Sequence, residues 1–465
     1  MDRDWNQDSI VAIATPPGEG GVGILRLSGP RSPDAASLLW RGNLPMEALE
    51  SHRLYLGTLL DAPNGTPIDQ ALLVRMRAPR SYTGEEVVEI HTHGGPLLLN
   101  RVLESLLGQG LRAAEPGEFT RRAFLNGKMD LLQAEAVAEL IHAKSEAALR
   151  NARAQLEGRL SKKVQAMRQD LLRLCAQVEA AIDFPEEDIE PASSPSLAAD
   201  IRRSEQELTT WLDKFQVGRL LREGVRVAFV GRPNVGKSSL LNRLLEEDRA
   251  IVHDRPGTTR DVIEAWMEWG GVSFQLYDTA GIREGEEEVE REGIRRSERA
   301  AQEADLVLWV LDASQAPKAE DLLISGWLKG RVLIVGNKSD LVLEESPRPV
   351  QGDFPIMSGT LGPCWVSAKS GVGIPELKEA ILQAVGLGGL VLREEAFLNN
   401  ARHRQALLAG LEALGRARKA LEERRSLELP AADLREAAQS MEVLLGKVSS
   451  DDILGEIFAH FCVGK

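Results

Sequence analysis

The chain has few of the residues that staple a secreted fold, cross a bilayer or coat nucleic acid. Its 465 residues include three cysteines, Cys175, Cys364 and Cys462. So few, so far apart and odd in number, they form neither a disulfide framework nor a zinc site, and they fit a reducing compartment. No apolar run reaches the ~18 residues that span a membrane. The start, Met1-Asp2-Arg3-Asp4-Trp5, lacks the basic and apolar regions of a secretory signal, so a soluble cytoplasmic protein without a membrane role is expected. Positive charge is also in deficit, with 56 Lys and Arg against 70 Asp and Glu and a formal charge of −14. Phosphate backbones are held mainly by Lys and Arg, so a nucleic-acid-coated surface is excluded, although a local basic patch is not. The length allows about three domains at roughly 150 residues each.

What the sequence does contain is organised around Gly231-Arg232-Pro233-Asn234-Val235-Gly236-Lys237-Ser238-Ser239. Val225-Arg226-Val227-Ala228-Phe229-Val230 before it reads as a buried strand, and Leu240-Leu241-Asn242-Arg243-Leu244-Leu245 after it has helical spacing. Strand, glycine loop and helix are the context a phosphate-binding loop requires. Backbone N–H groups and the helix N-terminus would face a triphosphate, with Lys237 neutralising it and Ser238 offering a hydroxyl to Mg²⁺.

Downstream, Gly257-Thr258-Thr259-Arg260-Asp261 supplies a second hydroxyl pair, and the strand Phe274-Gln275-Leu276-Tyr277 ends in Asp278-Thr279-Ala280-Gly281. An acid at that strand end suits a magnesium-linked sensor of the γ-phosphate. The strand Leu306–Leu311 follows, and Val332–Val335 runs into Asn337-Lys338-Ser339-Asp340. The Asp340 carboxylate can accept two hydrogen bonds from guanine that adenine cannot donate. A last strand at Trp365-Val366 leads into Ser367-Ala368-Lys369, whose backbone would meet the guanine carbonyl. These five elements in this order identify a GTPase.

Two positions depart from the Ras pattern. Ile282 stands where a glutamine would orient the attacking water. That work passes to another polar residue, and Glu284, Glu286, Glu287, Glu288 and Glu290 offer carboxylates; the bland alternative is a solvated acidic loop. Asn234, with backbone carbonyls before Gly257, could hold a monovalent cation beside the phosphates in place of an arginine finger.

The N-terminal region reads as α+β, with strands at Ile10–Ala14, Gly23–Leu27, Arg53–Gly57, Ala71–Met76 and Val87–His91 and helices at Pro33–Leu39 and Leu97–Leu107. In Glu89-Ile90-His91-Thr92-His93, period-two alternation puts Glu89, His91 and His93 on one face. A metal site, a polar strand end and a site for a polar organic ligand all remain open. From Glu118 past Leu212, and again from Arg393, the composition turns helical, with Leu171, Leu174, Val178 and Ala181 as one apolar stripe and runs at Arg404–Glu423 and Ala431–Leu445. The basic residues of the first half, such as Lys144, Arg150 and Lys162, are interleaved with acids and favour a solvated face over an RNA platform. The helix before the terminal residues should start at Ser449-Ser450-Asp451-Asp452 and dock through Ile453, Ile457 and Phe458. Two helical halves around one α/β unit suggest an insertion.

Thr15-Pro16-Pro17-Gly18, Ser81-Tyr82-Thr83-Gly84-Glu85, His93-Gly94-Gly95, Pro116-Gly117-Glu118-Phe119-Thr120, the GTPase elements and the final Phe461-Cys462-Val463-Gly464-Lys465 together resemble the tRNA-modification GTPases called MnmE or TrmE, over the whole chain. The resemblance implies an N-terminal tetrahydrofolate-binding, dimerising domain at 1–120, a helical domain at 121–220 and 387–465, and a Ras-like GTPase domain inserted at 221–386. It also implies a homodimer working with an FAD-dependent partner, MnmG or GidA. The joint reaction puts an aminomethyl or carboxymethylaminomethyl group on carbon 5 of the wobble uridine of certain tRNAs.

Carried onto this sequence, folate contacts fall on Arg26, Glu89, Lys128 and Lys465, with Cys462 a candidate for chemistry. K⁺ ligands fall on Asn234, Thr258 and the carbonyls of His253 and Arg255, Mg²⁺ ligands on Ser238 and Thr259, and the water-orienting role on Glu290. The GTP-binding set is Asn234 to Ser239, His253, Asp254, Arg255, Pro256, Gly257, Thr258, Thr259, Asp278, Thr279, Ala280, Gly281, Asn337, Lys338, Asp340, Ser367, Ala368 and Lys369. A ribosome-assembly GTPase of the Era or Der type shares the loop and the missing glutamine, but needs neither the N-terminal domain nor the cysteine-bearing end. A dynamin-like membrane GTPase would need a lipid-binding segment that the sequence lacks.

Overall fold

The computed structural model describes residues 8–61, 65–183, 195–247, 263–278, 295, 297–342, 360–389, 396–447 and 451–465. The chain divides into two compact units, one of residues 1–141, 155–205 and 408–465, the other of residues 142–154 and 206–407.

In the first unit a seven-stranded sheet has the order β3-β4-β5-β6-β2-β1-β7. Its strands are β1 (Ile10–Ile13), β2 (Gly20–Ser28), β3 (Trp40–Gly42), β4 (Leu54–Leu60), β5 (Pro67–Met76), β6 (Val87–Gly94) and β7 (Arg112–Ala113). The pairings are antiparallel except β1 with β7. Alternation decides the faces: Leu25, Leu27, Leu73, Val88 and Ile90 bury against helices α1 (Ser32–Leu39) and α2 (Pro96–Gly108). The opposite face carries Ile10 and Ala12, covered by Phe119 and Tyr82. Phe119 comes from α3 (Glu118–Leu125), and α4 (Leu131–His142) follows.

The helical part of this unit is built on α6 (Arg159–Asp183), which packs along α12 (Glu428–Leu445); α5 (Glu146–Leu156), α7 (Pro195–Glu223) and α11 (Ala401–Glu422) carry the chain across the division. Leu160, Val164, Met167, Leu171, Leu174 and Val178 bury one stripe of α6. Arg168 adds a 2.7 Å bond to Glu442. The last helix, α13 (Asp451–Ala459), docks through Leu454 and Phe458, joined by Phe461 after it. Ile453, expected in that stripe, is exposed, because the buried positions run at 454, 458 and 461. Ser449 and Ser450 lie outside the described residues.

The second unit is a six-stranded sheet of order β13-β12-β11-β8-β10-β9. Its strands are β8 (Val225–Val230), β9 (Ile263–Trp269), β10 (Val272–Asp278), β11 (Leu306–Asp312), β12 (Val332–Asn337) and β13 (Thr360–Trp365). All pairs are parallel except β9 with β10. β11 and β12 are buried along their whole length, as expected of central parallel strands. Helices α8 (Lys237–Glu247), α9 (Ala319–Trp327) and α10 (Ile374–Ala384) complete its described helices of eight or more residues beside those already named.

Two features of this second unit differ from the sequence expectation, as do the short strands β3 and β7 of the first, which were not expected. The last strand occupies Thr360–Trp365 and Val366 only continues its bonding, through a 2.9 Å bond to the Gly336 carbonyl. Gly362 and Pro363 disguise it, and it tolerates proline because it is an edge strand. β9 was not expected at all; it pairs with β10 through a Gly270-Gly271 turn, and Trp269 stacks on Phe274 with centroids 3.6 Å apart.

Candidate functional site

In a parallel sheet, every strand that runs with β8 ends on the same side, and ligands bind beyond those ends. β8 ends before Gly231, β12 at Asn337 and β13 just before Ser367, so the sequence motifs gather on one edge. Asn337 ties them together. Its buried amide donates to the Val235 carbonyl at 2.9 Å and its Oδ1 accepts from the Ala368 N–H at 3.0 Å. Gly236 is required at that contact, since its φ is +92° and a Cβ there would stand 2.3 Å from the Asn337 nitrogen.

Lys237 opens α8 and is buried; its ammonium donates to the carbonyls of Gly231 at 2.7 Å and Arg232 at 3.0 Å. A bound triphosphate would have to compete for that charge. Ser238 and Ser239 are exposed at the helix start, and Asp340 is exposed beside Asn337. Ser367 is fully buried and shapes its turn by accepting from the Ser370 N–H at 3.1 Å. Arg243, which sequence reasoning assigned no role, holds the carbonyls of Ala368 at 2.9 Å and Lys369 at 2.7 Å. Its signal was only a helical position two turns after the loop.

Several expected positions lie outside the described residues: His253, Asp254, Arg255, Pro256, Gly257, Thr258 and Thr259, then Thr279, Ala280, Gly281, Ile282 and Glu290 with the other acids of its run. Asp278 is described as the last residue of β10 by its backbone.

A second cluster belongs to the other unit. Arg26 on β2 and Glu89 on β6 are register partners, and their side chains close a 2.7 Å ion pair. The second Glu89 oxygen meets His91 Nε2 at 3.1 Å. Burial raises the Glu89 pKa, but the His91 hydrogen bond and the Arg26 charge outweigh it and hold the carboxyl below its ordinary value. The rings of Tyr82 and Phe119, two residues with no earlier role, flank the guanidinium at 5.6 and 5.9 Å.

The final residues reach this cluster. Arg26 donates to the Gly464 carbonyl at 3.3 Å, and the Gly117 N–H meets the Cys462 carbonyl at 3.4 Å. Lys465 is half-buried, and burial followed by the nearby Arg26 charge pulls its ammonium below the usual lysine range, with Glu89 opposing. Cys462 is exposed. Lys128 instead donates to the Pro79 carbonyl at 3.0 Å. His93 does not join Glu89: it is exposed and bonds Asp69 on β5 at 2.7 Å. Among the described residues no group of three metal-binding side chains forms.

The motifs around 81–85 and 116–122 form the frame beneath. Arg122, buried on α3, bonds Glu118 at 2.9 Å and Asp8 at 2.6 Å, and Glu118 also takes Arg112 at 3.0 Å. Glu85 accepts from Ser28 at 2.6 Å. Buried charges at this density are tolerated because each is paired.

Comparison with known proteins matches both parts of this arrangement. The family model described as the GTP-binding protein TrmE N-terminus matches residues 9–128, and that described as the MnmE helical domain matches residues 131–462. The tRNA modification GTPase MnmE of Geobacter sulfurreducens is 46% identical over 99% of both chains. The chain belongs to the MnmE family of tRNA modification GTPases. Its relative of that name in Heliobacterium modesticaldum is 44% identical over 98% of this chain and 99% of its own. Among solved structures, Era of Aquifex aeolicus bound to GDP and aluminium fluoride is 26% identical and covers 41% of this chain and 66% of its own, with a TM-score of 0.28. The multidomain α+β and α/β class expected from the sequence holds, with a TrmE-type N-terminal domain, an MnmE helical domain and a parallel-sheet GTPase unit. As an MnmE-family member the chain is a GTPase, and no described helix is long and apolar enough to cross a membrane.

Proposed function

We propose that this GTPase is stimulated by potassium and acts in the cytoplasm as a homodimer with an FAD-dependent partner of the MnmG (GidA) kind. Together they add a carboxymethylaminomethyl or aminomethyl group to carbon 5 of the wobble uridine of certain tRNAs, using the one-carbon unit of a tetrahydrofolate derivative. The observation that carries the reading is the convergence of Arg26, Glu89 and Gly464, from two strands and the far end of the chain, beside two aromatic rings. Paired charges next to flat apolar faces suit a pterin ring with carboxylate tails. Arg26, Glu89 and Lys465 are the contacts in this proposal, with Lys128 nearer the tail and Cys462 available for chemistry. The domain limits of 1–120, 121–220, 221–386 and 387–465 go with it.

For hydrolysis, Lys237 neutralises the β and γ phosphates and Asp340 selects guanine through its two acceptor oxygens. Ser238, exposed at the start of α8, supplies the kind of hard oxygen that Mg²⁺ takes, joined by Thr259. Asn234 has a left-handed backbone, φ +63°, in an exposed part of the loop and offers a carbonyl oxygen for K⁺, with Thr258 and the carbonyls of His253 and Arg255. Glu290 orients the attacking water in place of the glutamine that Ile282 displaces. The test is depletion of the protein from its cell followed by mass analysis of tRNA nucleosides. Disappearance of the modified wobble uridine is expected, and its persistence would overturn the reading.

A further inference from the structure

β11 lies between β8 and β12 in the sheet, and Asp312 at its end stands between the two strands that carry the phosphate loop and the guanine-recognition segment. Its carboxylate is buried yet fully engaged. Oδ1 accepts from the Ser314 N–H at 3.0 Å and the Ser314 hydroxyl at 2.6 Å, and Oδ2 takes the Lys338 ammonium at 2.7 Å. The same ammonium donates at 2.8 Å to the backbone carbonyl of Asn234 in the phosphate loop. Lys338 and Asn234 each have φ +63°, a left-handed conformation that asparagine tolerates but lysine adopts only rarely.

We infer that Asp312 is a positioning residue for GTP: through Lys338 it fixes the Asn234 carbonyl and so locks the phosphate loop and the guanine-recognition segment at one separation. The carboxylate's hydrogen bonds go to Ser314, Lys338 and, at 3.4 Å, the Gln315 amide. An ammonium shared between a carboxylate and a carbonyl is directional, whereas an unpaired lysine on an exposed loop would be free to leave for water. Removing the carboxylate's charge therefore releases both loops while leaving the sheet beneath them intact.

The experiment uses the full chain in Mg²⁺ and K⁺ with fluorescently labelled GDP. Asp312→Asn should weaken GDP binding about 10- to 100-fold, the range for losing a charge-assisted hydrogen bond. Lys338→Met should weaken it at least as much, since Lys338 also belongs to the GTP-binding set, and the double variant should be no worse than Lys338→Met alone, because Asp312 acts through Lys338. In steady state Asp312→Asn should raise the KM for GTP in step with the GDP Kd and change kcat much less. Native affinity in Asp312→Asn, multiplying losses in the double variant, or a fall in kcat at unchanged KM would each overturn the inference. Should Asp312→Asn fail to fold, Ser314→Ala decides: it leaves the charge and removes only the hydroxyl that orients it. A several-fold loss that vanishes in the Lys338→Met background supports the bridge, and a loss that persists there overturns it.

Discussion

Arg26 and Glu89 stand opposite each other on antiparallel strands and close a 2.7 Å ion pair, and the same guanidinium reaches a carbonyl 438 residues further along the chain. A charge pair so placed joins the sheet to the last residues through one side chain. Glu89→Gln keeps the size and removes the charge, so it should weaken binding of a reduced folate about tenfold or more, by the magnitude of a charge-assisted bond. Calorimetric titration with a reduced folate checks it, with GTP turnover expected at the native rate.

The buried frame of Arg122, Glu118, Arg112 and Asp8 carries a stability prediction. Arg122 is buried and pairs with both Glu118 and Glu85, so Arg122→Met should destabilise the first unit by about 3–5 kcal/mol, because Glu118 keeps only Arg112 and Glu85 loses its ion pair. Urea unfolding followed by fluorescence would measure this. Burial raises the Glu118 and Asp8 carboxyls, but their arginine partners win and lower both. The unfolded chain then binds protons first as pH falls, so the stabilisation is complete above the ordinary carboxylate pKa and is lost below about pH 4. The native protein should show that acid loss, and Arg122→Met should show less of it.

How much of this was legible depends on how local the cause was. The phosphate loop was readable because strand, glycines and helix follow one another within about twenty residues, and the structure ties its Val235 to Asn337. Strand parity put Glu89 and His91 on one face, but it could not show that His93 turns to Asp69, which belongs to another strand. Asp8 and Arg122 are 114 residues apart, and no pattern in the sequence pairs them. Tyr82 and Phe119 sat in motifs that could be quoted, while their use, flanking Arg26, is a fact of packing. For the terminal helix, a shift of one residue separated exposed Ile453 from buried Leu454; three apolar candidates in a short helix do not define a phase.

Hydrolysis should need potassium and Glu290. Turnover in KCl should exceed that in NaCl at equal ionic strength, because in the proposed mechanism Asn234 supplies a ligand for K⁺ beside the phosphates. Glu290→Ala should keep GTP binding and slow kcat by about two to three orders of magnitude, as for a group that acts in the transition state. Equal rates in the two salts, or native turnover in the variant, would remove those roles.

Asp340→Asn should do the reverse. Its carboxylate is exposed, and in the proposed role it accepts from guanine while Lys237 serves the phosphates, so base recognition should suffer and hydrolysis of bound nucleotide should not. Binding of GDP should fall by about 10- to 100-fold, since two charge-assisted bonds become at most one good one. Affinity for xanthosine diphosphate should rise, because the xanthine carbonyl at carbon 2 can accept from the new amide. Competition binding with the two diphosphates measures both shifts.

The terminal residues give the sharpest separation of the two units' functions. Gly464 has φ +95°, and a Cβ there would meet the Ile13 carbonyl oxygen at 2.7 Å and the Ala14 Cα at 2.8 Å. Backbone atoms at the end of β1 cannot swing aside as a flexible side chain would, and a β-branched side chain is disfavoured at that φ in any case. Gly464→Val should therefore lift the last residues off β1, break the Arg26 bond to the Gly464 carbonyl and carry Lys465 away from Glu89. Reduced-folate affinity should drop about tenfold or more, as for a lost bond to a charged group. Wobble-uridine modification should fall with it, while the phosphate loop, which lies in the other unit, keeps GTP turnover unchanged. Deleting Cys462 to Lys465 should give the same pair of results. If Gly464→Val binds folate normally and modifies tRNA in full, the terminal residues only rest against the sheet and the site is built from Arg26 and Glu89 without them.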